Sequence, residues 1–225
     1  MNINGKKILI ISPHPDDETL GAGGFIKKLV DSDNVVNVLT VSGHLPPLYD
    51  QVDYDLTESE AKEAYKVLGI DRFSFMKIPA TYVGDEPVSK LNGKISSYFE
   101  EFEPNIVLCP FPDRHVDHRV IFDSVMVASR PVGYGKKITL LAAYETLSET
   151  HWNAPYIEPN FNHNMIVDIS GQIETKLEAL RLYKSQIDET QGPRSVEAIR
   201  ALAKFRGSQA GFSYGEAFYV IRQTY

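Results

Sequence analysis

The sequence predicts an α/β protein with a mainly parallel sheet that is covered by helices on both faces. Apolar runs of strand length alternate with amphipathic segments along the chain, as in repeated strand–helix units with right-handed crossovers. Two of the runs, Ile8–Ile11 and Ile106–Cys109, are continuously apolar, which is typical of strands buried on both faces. No linker or internal repeat interrupts the pattern, so we expect a single domain over residues 1–225.

Each element has its own local signal. The first helix is predicted at residues 18–31 because its apolar residues recur at helical spacing. The second is predicted from Thr57 to Leu68, since Thr57-Glu58-Ser59-Glu60 is close to a capping box and Gly69 suits a helix end. The further helices are predicted at 88–102, 117–129, 171–186 and 194–206, and the strands at 7–12, 34–40, 72–78, 105–110, 138–144, 164–168 and 217–222.

Composition restricts the function classes. The net charge of −7 argues against a nucleic-acid backbone as the main partner. A single cysteine, Cys109, excludes an intrachain disulfide, and its place in an apolar run predicts a buried, inert thiol. No signal-peptide pattern or membrane-spanning apolar stretch is evident, so a cytoplasmic protein is expected, and a homo-oligomer is left open.

The most informative segment is Ser12-Pro13-His14-Pro15-Asp16-Asp17-Glu18, directly after the first strand. Three adjacent carboxylates repel one another unless a cation or a helix N-terminus offsets their charge. Helix capping accounts for one or two of the acids, but it does not explain the histidine and the prolines. The segment therefore favours a divalent metal.

A second cluster, His115-Val116-Asp117-His118, follows the strand predicted at 105–110. Ligands of open α/β sheets bind beyond the carboxyl ends of the strands, where the strand order reverses, and both clusters belong to that edge. A catalytic zinc typically has three protein ligands and a water molecule, and His14, Asp17 and His118 would be the three protein ligands. A solvated helix start with incidental histidines is the alternative for the second cluster.

The remaining polar residues of the clusters suggest a division of roles. Asp16 is not needed as a ligand and is left to act on the metal-bound water. His115 is then available to donate a hydrogen bond to a developing oxyanion, and Asp117 to fix the His115 tautomer. Gly21, Gly23 and Gly24 follow the acidic segment rather than precede it, so they do not form a dinucleotide loop and instead indicate a close approach of helix and sheet.

The paired motifs resemble those of the PIG-L/LmbE-like zinc-dependent N-deacetylases. Supporting likeness extends over most of the chain, in the segments Glu60–Ile70, Lys176–Gln186 and Tyr214–Phe218. The resemblance implies a Rossmann-like three-layer sandwich and a biosynthetic enzyme that hydrolyses the N-acetyl group of an amino sugar, a sugar conjugate or a nucleotide-sugar. By motif position it implies zinc, with other divalent metals such as Fe²⁺ left open. The implied zinc ligands are His14, Asp17 and His118; the implied base is Asp16; and the implied transition-state stabiliser is His115, supported by Asp117.

The substrate side departs from the resemblance. Relatives often carry an arginine at the start of the second helix, where this chain has Thr57, and a short Gly-Glu turn where it has Ser42–Pro47. His44 lies at the correct sheet edge and is a candidate substrate contact, with a surface histidine as the alternative. Trp152 is the only tryptophan; it is a candidate for stacking on a sugar, with a lid or core-packing role as the alternative.

Three other functions fit the residues less well. Two histidines and a carboxylate also describe a non-haem iron oxygenase, but that site leaves Asp16 idle. A metallohydrolase of another amide, such as a thiol conjugate, would use the same residues. A non-catalytic sugar-binding protein leaves the filled catalytic positions unexplained.

Overall fold

A computed structural model describes residues 4–154, 157, 160–188 and 192–224. Within these ranges seven strands form one sheet: β1 (Lys7–Ser12), β2 (Val35–Gly43), β3 (Arg72–Pro79), β4 (Ile106–Pro110), β5 (Leu140–Tyr144), β6 (Met165–Asp168) and β7 (Gly215–Gln223). The helices are α1 (Asp17–Val30), α2 (Gln51–Leu68), α3 (Val88–Phe102), α4 (Val116–Ala128), α5 (Leu147–Thr150), α6 (Ile173–Leu180) and α7 (Val196–Ser208). Short 3-10 turns lie at Val83–Asp85 and Gly133–Lys137.

The strand order is β3-β2-β1-β4-β5-β7-β6. The first five strands in this order are parallel, and β7 runs antiparallel to both β5 and β6. The chain moves outward from β1 to β3 and then returns to place β4 on the other side of β1. The strand order therefore reverses between β1 and β4, which confirms the predicted mainly parallel α/β sheet.

Alternate residues of β1 serve two separate cores, as expected of a strand buried on both faces. Ile8 and Ile10 pack with α1, α2 and α6 on one face, whereas Leu9 and Ile11 pack with α3 and α4 on the other. All four side chains are fully buried. This arrangement is the predicted three-layer sandwich. Cys109 is also buried, as predicted, and burial raises the pKa of its thiol.

Two predicted helices differ from the structure. The second begins at Gln51 rather than Thr57, with the backbone N–H of Asp50 donating to the Asp53 side chain. Thr57 is thus a buried interior residue whose hydroxyl donates to the Tyr54 carbonyl, so its placement at a helix start was wrong. The predicted 171–186 helix ends at Leu180, since tertiary bonds draw the chain away: the N–H and hydroxyl of Ser185 both donate to the Glu60 carboxylate of α2.

The glycines of α1 allow close contact with the sheet and the C-terminal segments, as predicted. A Cβ at Gly21 would lie 2.3 Å from Cδ2 of Tyr144 and 2.6 Å from the Glu145 carbonyl oxygen. A Cβ at Gly24 would lie 2.7 Å from Cδ1 of Ile169. The backbone N–H groups of Gly24 and Phe25 donate to the Glu216 carboxylate, which ties α1 to β7.

Gly21→Ala should lower the free energy of unfolding by about 1–3 kcal/mol, because the methyl group meets buried atoms that cannot move freely. Gly93→Ala is the matched control: Gly93 is an exposed residue of α3 with no atom within 4 Å of the added carbon, so the change should be neutral or stabilising. Urea unfolding of both variants tests this, and equal stabilities would contradict the close approach.

Candidate active site

The two histidine and acidic clusters meet at the carboxyl ends of β1 and β4. The strands are neighbours, with Ile10 opposite Leu108, and each is followed by one of the clusters. Nε2 of His14 lies 2.9 Å from Oδ2 of Asp117 although the two residues are 103 positions apart. The clusters therefore form one site, as their positions at the strand ends predicted.

His14, Asp17 and His118 surround a common point. Oδ2 of Asp17 lies 3.1 Å from Nδ1 of His14 and 3.3 Å from Nε2 of His118. The Asp17 and His118 side chains are completely buried, whereas His14 retains slight exposure. The structure thus brings together all three residues predicted as ligands.

In each of the two histidines, the ring nitrogen that does not face Asp17 contacts a second carboxylate. Oδ2 of Asp117 accepts from Nε2 of His14 and from the Thr81 backbone N–H at 2.8 Å. Asp113, which sequence analysis missed, lies 3.1 Å from Nδ1 of His118. Its position in the turn after β4, five residues before His118, is the signal that could have identified it.

The expected contact between the Asp117 carboxylate and His115 is replaced by a backbone contact. The two side chains are 4.0 Å apart, because the carboxylate is turned toward His14. Instead the backbone N–H of Asp117 donates to Nδ1 of His115, the N-cap of α4, at 3.2 Å. Since burial lowers the pKa of His115 to about 4, its ring is neutral and carries its proton on Nε2.

Asp16 has an unusual backbone conformation, with φ at 119°, between β1 and α1. Its side chain does not cap α1, so capping does not account for this acid. Oδ2 accepts from Nη1 of Arg194 at 3.0 Å, and Oδ1 is buried without a hydrogen-bond partner in the described structure. Burial raises the pKa of Asp16 to about 8 even though Arg194 opposes the shift.

Glu18, the third acid of the first cluster, has a structural role. Its carboxylate accepts from the hydroxyls of Ser12, Thr19 and Tyr183 at 2.6–2.7 Å. These bonds join the end of β1 to the first turn of α1 and to the segment after α6. Glu18 thereby stabilises the turn that carries His14, Asp16 and Asp17.

The electrostatics of the site favour added positive charge. Burial lowers the pKa of both His14 and His118, but Asp117 and Asp17 outweigh it and raise that of His14 to about 9. Asp17 and Asp113 likewise raise the pKa of His118 to about 10. Although burial raises the pKa of Asp17, the neighbouring imidazoles hold it well below its usual range. A divalent cation can take the place of these imidazole protons.

Buried polar atoms without hydrogen-bond partners show that the residues of the site fit a metal ion. Nε2 of His118 and Oδ1 of Asp17 are buried without a hydrogen-bond partner in the described part of the chain, which costs free energy unless a ligand binds there. Nitrogen atoms of His14, His115 and His118 also lie within 4.8 Å of one another, so this group could hold a metal. Two donor sets thus share His14 and His118 and differ in the third ligand.

The two candidate substrate residues lie in different surroundings. His44, at the end of β2, is half-buried; its ring centroid lies 4.4 Å from that of Tyr49. Trp152 is 62% exposed, so the core-packing alternative for it was wrong. Arg194 was also missed, because nothing in the sequence links it to a site 178 residues away.

The fold and site define an α/β protein with a candidate metal centre at the strand-order reversal, and comparison with known proteins identifies the family. The family described as "PIG-L: GlcNAc-PI de-N-acetylase" matches residues 9–129. The chain belongs to the PIG-L family, as the motifs predicted, and it is an enzyme of the deacetylase class, a hydrolase of amide bonds.

Three similar proteins illustrate the family. Diacetylchitobiose deacetylase of Thermococcus kodakarensis is 31% identical over 96% of this chain and 83% of its own length. The Bacillus anthracis protein named "Probable N-acetyl-alpha-D-glucosaminyl L-malate deacetylase 2" is 25% identical over 81% and 82%. The crystal structure of N,N'-diacetylchitobiose deacetylase from Pyrococcus horikoshii superimposes with a TM-score of 0.75 at 25% identity, covering 96% of this chain and 84% of that one. In the described ranges of our chain, none of the helices is both long and apolar enough to span a membrane.

Metal-free protein should lose stability as the pH rises from about 7 to about 10. The pKa values of His14 and His118 lie above the ordinary 6.5, so the folded protein binds more protons than the unfolded chain in this range. The stabilisation is complete below pH 6.5 and is lost as the pH passes the folded-state values. Urea unfolding after chelation at several pH values tests this, with His118→Gln as the control, which should flatten the profile. A stability that rises with pH would contradict it.

Proposed function

We propose that this protein is a zinc-dependent hydrolase that removes an N-acetyl group from an amino sugar. The observation that carries the proposal is the position of Asp17 Oδ2 between Nδ1 of His14 and Nε2 of His118, with an unpartnered buried atom on both Asp17 and His118. Two imidazoles and one carboxylate are a donor set of catalytic zinc sites. The same set accepts Fe²⁺, so metal analysis forms part of the test.

The hydrogen bonds behind the histidines support His14, Asp17 and His118 as the ligands. With Nε2–H donating to Asp117, His14 keeps the lone pair of Nδ1 on the side of Asp17. With Nδ1–H donating to Asp113, His118 keeps the lone pair of Nε2 on the same side. Carboxylates behind metal-binding imidazoles set their tautomer and raise their basicity.

The surroundings of His115 favour a donor role over metal binding. Its Nδ1 already accepts from the Asp117 backbone, so the neutral ring presents Nε2–H. In this role His115 donates to the oxyanion of the tetrahedral intermediate, and Asp117 supports it through the backbone N–H. Loss of one such donor typically costs on the order of 10²–10³ in rate.

The protein residues divide the remaining chemistry. A divalent ion in the site would polarise the acetyl carbonyl and lower the pKa of a water molecule. Asp16 takes the proton of the attacking water through Oδ1, which has no other partner in the described structure. Asp16 then returns that proton to the leaving amine, because the neutral His115 ring is a poor proton donor. Acetate and the free amino sugar are the products.

The charges at the edge of the site favour a neutral sugar over a phosphorylated one. Arg194 is paired with Asp16, and Arg114 with Glu149 at 2.7 Å. Both guanidinium groups are thus engaged by carboxylates of the protein and do not offer an unpaired positive charge to an anionic group of a substrate. We therefore place a neutral N-acetylglucosamine glycoside, such as diacetylchitobiose, ahead of acidic conjugates and nucleotide-sugars, with His44 and Trp152 as the proposed sugar contacts.

The identity of the third ligand can be tested by metal content. Asp17→Ala should lose most of its zinc, because it removes a buried anionic donor between two imidazoles. His115→Ala should retain zinc and lose about 10²–10³ in turnover. Elemental analysis of the two purified variants distinguishes the donor sets. Full occupancy in Asp17→Ala together with loss in His115→Ala would show that the three histidines are the ligands instead.

The activity is tested by acetate release from a substrate panel. The zinc-loaded enzyme should deacetylate diacetylchitobiose with a higher kcat/KM than N-acetylglucosaminyl malate or UDP-N-acetylglucosamine, since Arg194 and Arg114 are already paired with carboxylates. Asp16→Asn is the matched control: it should keep its zinc and lose nearly all of its acetate release. A preference for the anionic substrates would refute the assignment of a neutral sugar, and no release from any N-acetyl sugar would refute the deacetylase itself.

A further inference from the structure

The proposed base, Asp16, lacks the local support that an acid at a helix start usually has. Its carbonyl oxygen accepts from the N–H groups of Thr19 and Leu20, but its carboxylate accepts from neither. A side chain on a backbone with φ at 119° is aimed away from its usual capping position. The orientation of the carboxylate therefore depends on a contact from elsewhere in the chain.

Arg194 provides that contact. Its Nη1 donates to Oδ2 of Asp16 at 3.0 Å, and this is the only hydrogen bond to the Asp16 carboxylate among the described residues. Because Oδ2 is held in this way, the carboxylate plane is fixed and Oδ1 stays buried and unpartnered. A base needs such a free oxygen facing the water that it deprotonates.

The guanidinium is itself fixed from two directions. Its Nε donates to the Ser148 hydroxyl of α5 at 3.2 Å, and Nη1 lies 3.4 Å from Oε1 of Gln186. In sequence Arg194 directly precedes Ser195, the N-cap of α7, whose hydroxyl accepts from the Ala198 N–H at 3.1 Å. The side chain is only 24% exposed. Because both its backbone and its guanidinium are restrained, Arg194 can hold the carboxylate of Asp16 in one orientation.

We propose that Arg194 is a positioning residue for Asp16, through which the C-terminal part of the chain completes the active site. The inference rests on the proposed function, since it takes Asp16 as the base. A misplacement of about 1 Å in a reacting group can cost on the order of 10²-fold in rate. Loss of Arg194 should consequently lower kcat about 10–100-fold and leave the substrate and metal sites largely intact.

The experiment compares Arg194→Ala with Arg200→Ala. Arg200 lies on α7 and makes a bidentate pair with Glu174 at 2.5 and 2.8 Å, away from the site, so it is the matched control for loss of a paired arginine. We expect Arg194→Ala to keep its zinc and its KM within about threefold while kcat falls. Arg200→Ala should behave as the wild type. Added methylguanidine should restore part of the kcat of Arg194→Ala only.

Two further measurements separate positioning from a structural effect. In an Asp16→Asn background, Arg194→Ala should cause no additional loss of the residual rate, because its effect acts through Asp16. A crystal structure of Arg194→Ala should show the Asp16 carboxylate rotated or displaced, a readout that does not depend on turnover. Circular dichroism and thermal unfolding confirm that each variant is folded.

The outcomes are distinct. An active wild type with an unchanged kcat in Arg194→Ala would overturn the inference. So would an undisturbed Asp16 carboxylate in its structure, or a loss of activity that follows metal loss or unfolding. An inactive wild type that releases no acetate from any N-acetyl sugar would instead refute the proposed function.

Discussion

The pairing of β1 with β4 is the constraint on which the site depends. The two strands lie side by side where the strand order reverses, and each ends in a cluster of histidine and acidic residues. No local interaction could bring His14 within 2.9 Å of Asp117, because the residues are 103 positions apart. The buried apolar faces of β1 fix that pairing, since Ile8 and Ile10 belong to one core and Leu9 and Ile11 to the other. The stability of the sheet is in this way linked to the geometry of the chemistry.

Charge organises the site once the strands have brought the clusters together. Carboxylates outnumber the groups that could neutralise them, and they attract protons to His14 and His118. Each imidazole lies between two carboxylates. One of them is Asp17, and the other is Asp117 for His14 and Asp113 for His118. His115 lies at the edge of this field and stays neutral. The segment after β4 therefore supplies two histidines of different character: His118 with a raised pKa and His115 with a lowered one. The proposed metal binding uses the first, and the proposed oxyanion stabilisation uses the second.

Membership of the PIG-L family agrees with this chemistry, but the fold leaves the choice of substrate to the surroundings of the site. The C-terminal half of the chain contributes to those surroundings through Ser148 of α5, Gln186 after α6 and Arg194 before α7. Arg194 illustrates the point: it reaches the acidic segment that follows β1 from a distant part of the chain.

The sequence by itself determined the strand–helix alternation, the parallel sheet and the two clusters, because hydrophobic periodicity and strand-end chemistry are local properties. It also predicted a role for Asp16 different from that of the proposed ligands. Tertiary structure decided the rest: Ser185 contacts Glu60 and ends α6 early, Asp117 turns to His14 rather than to His115, and Arg194 reaches Asp16. These contacts join residues far apart in the chain, and their directions depend on how helices pack on the sheet, which no local pattern of residues encodes.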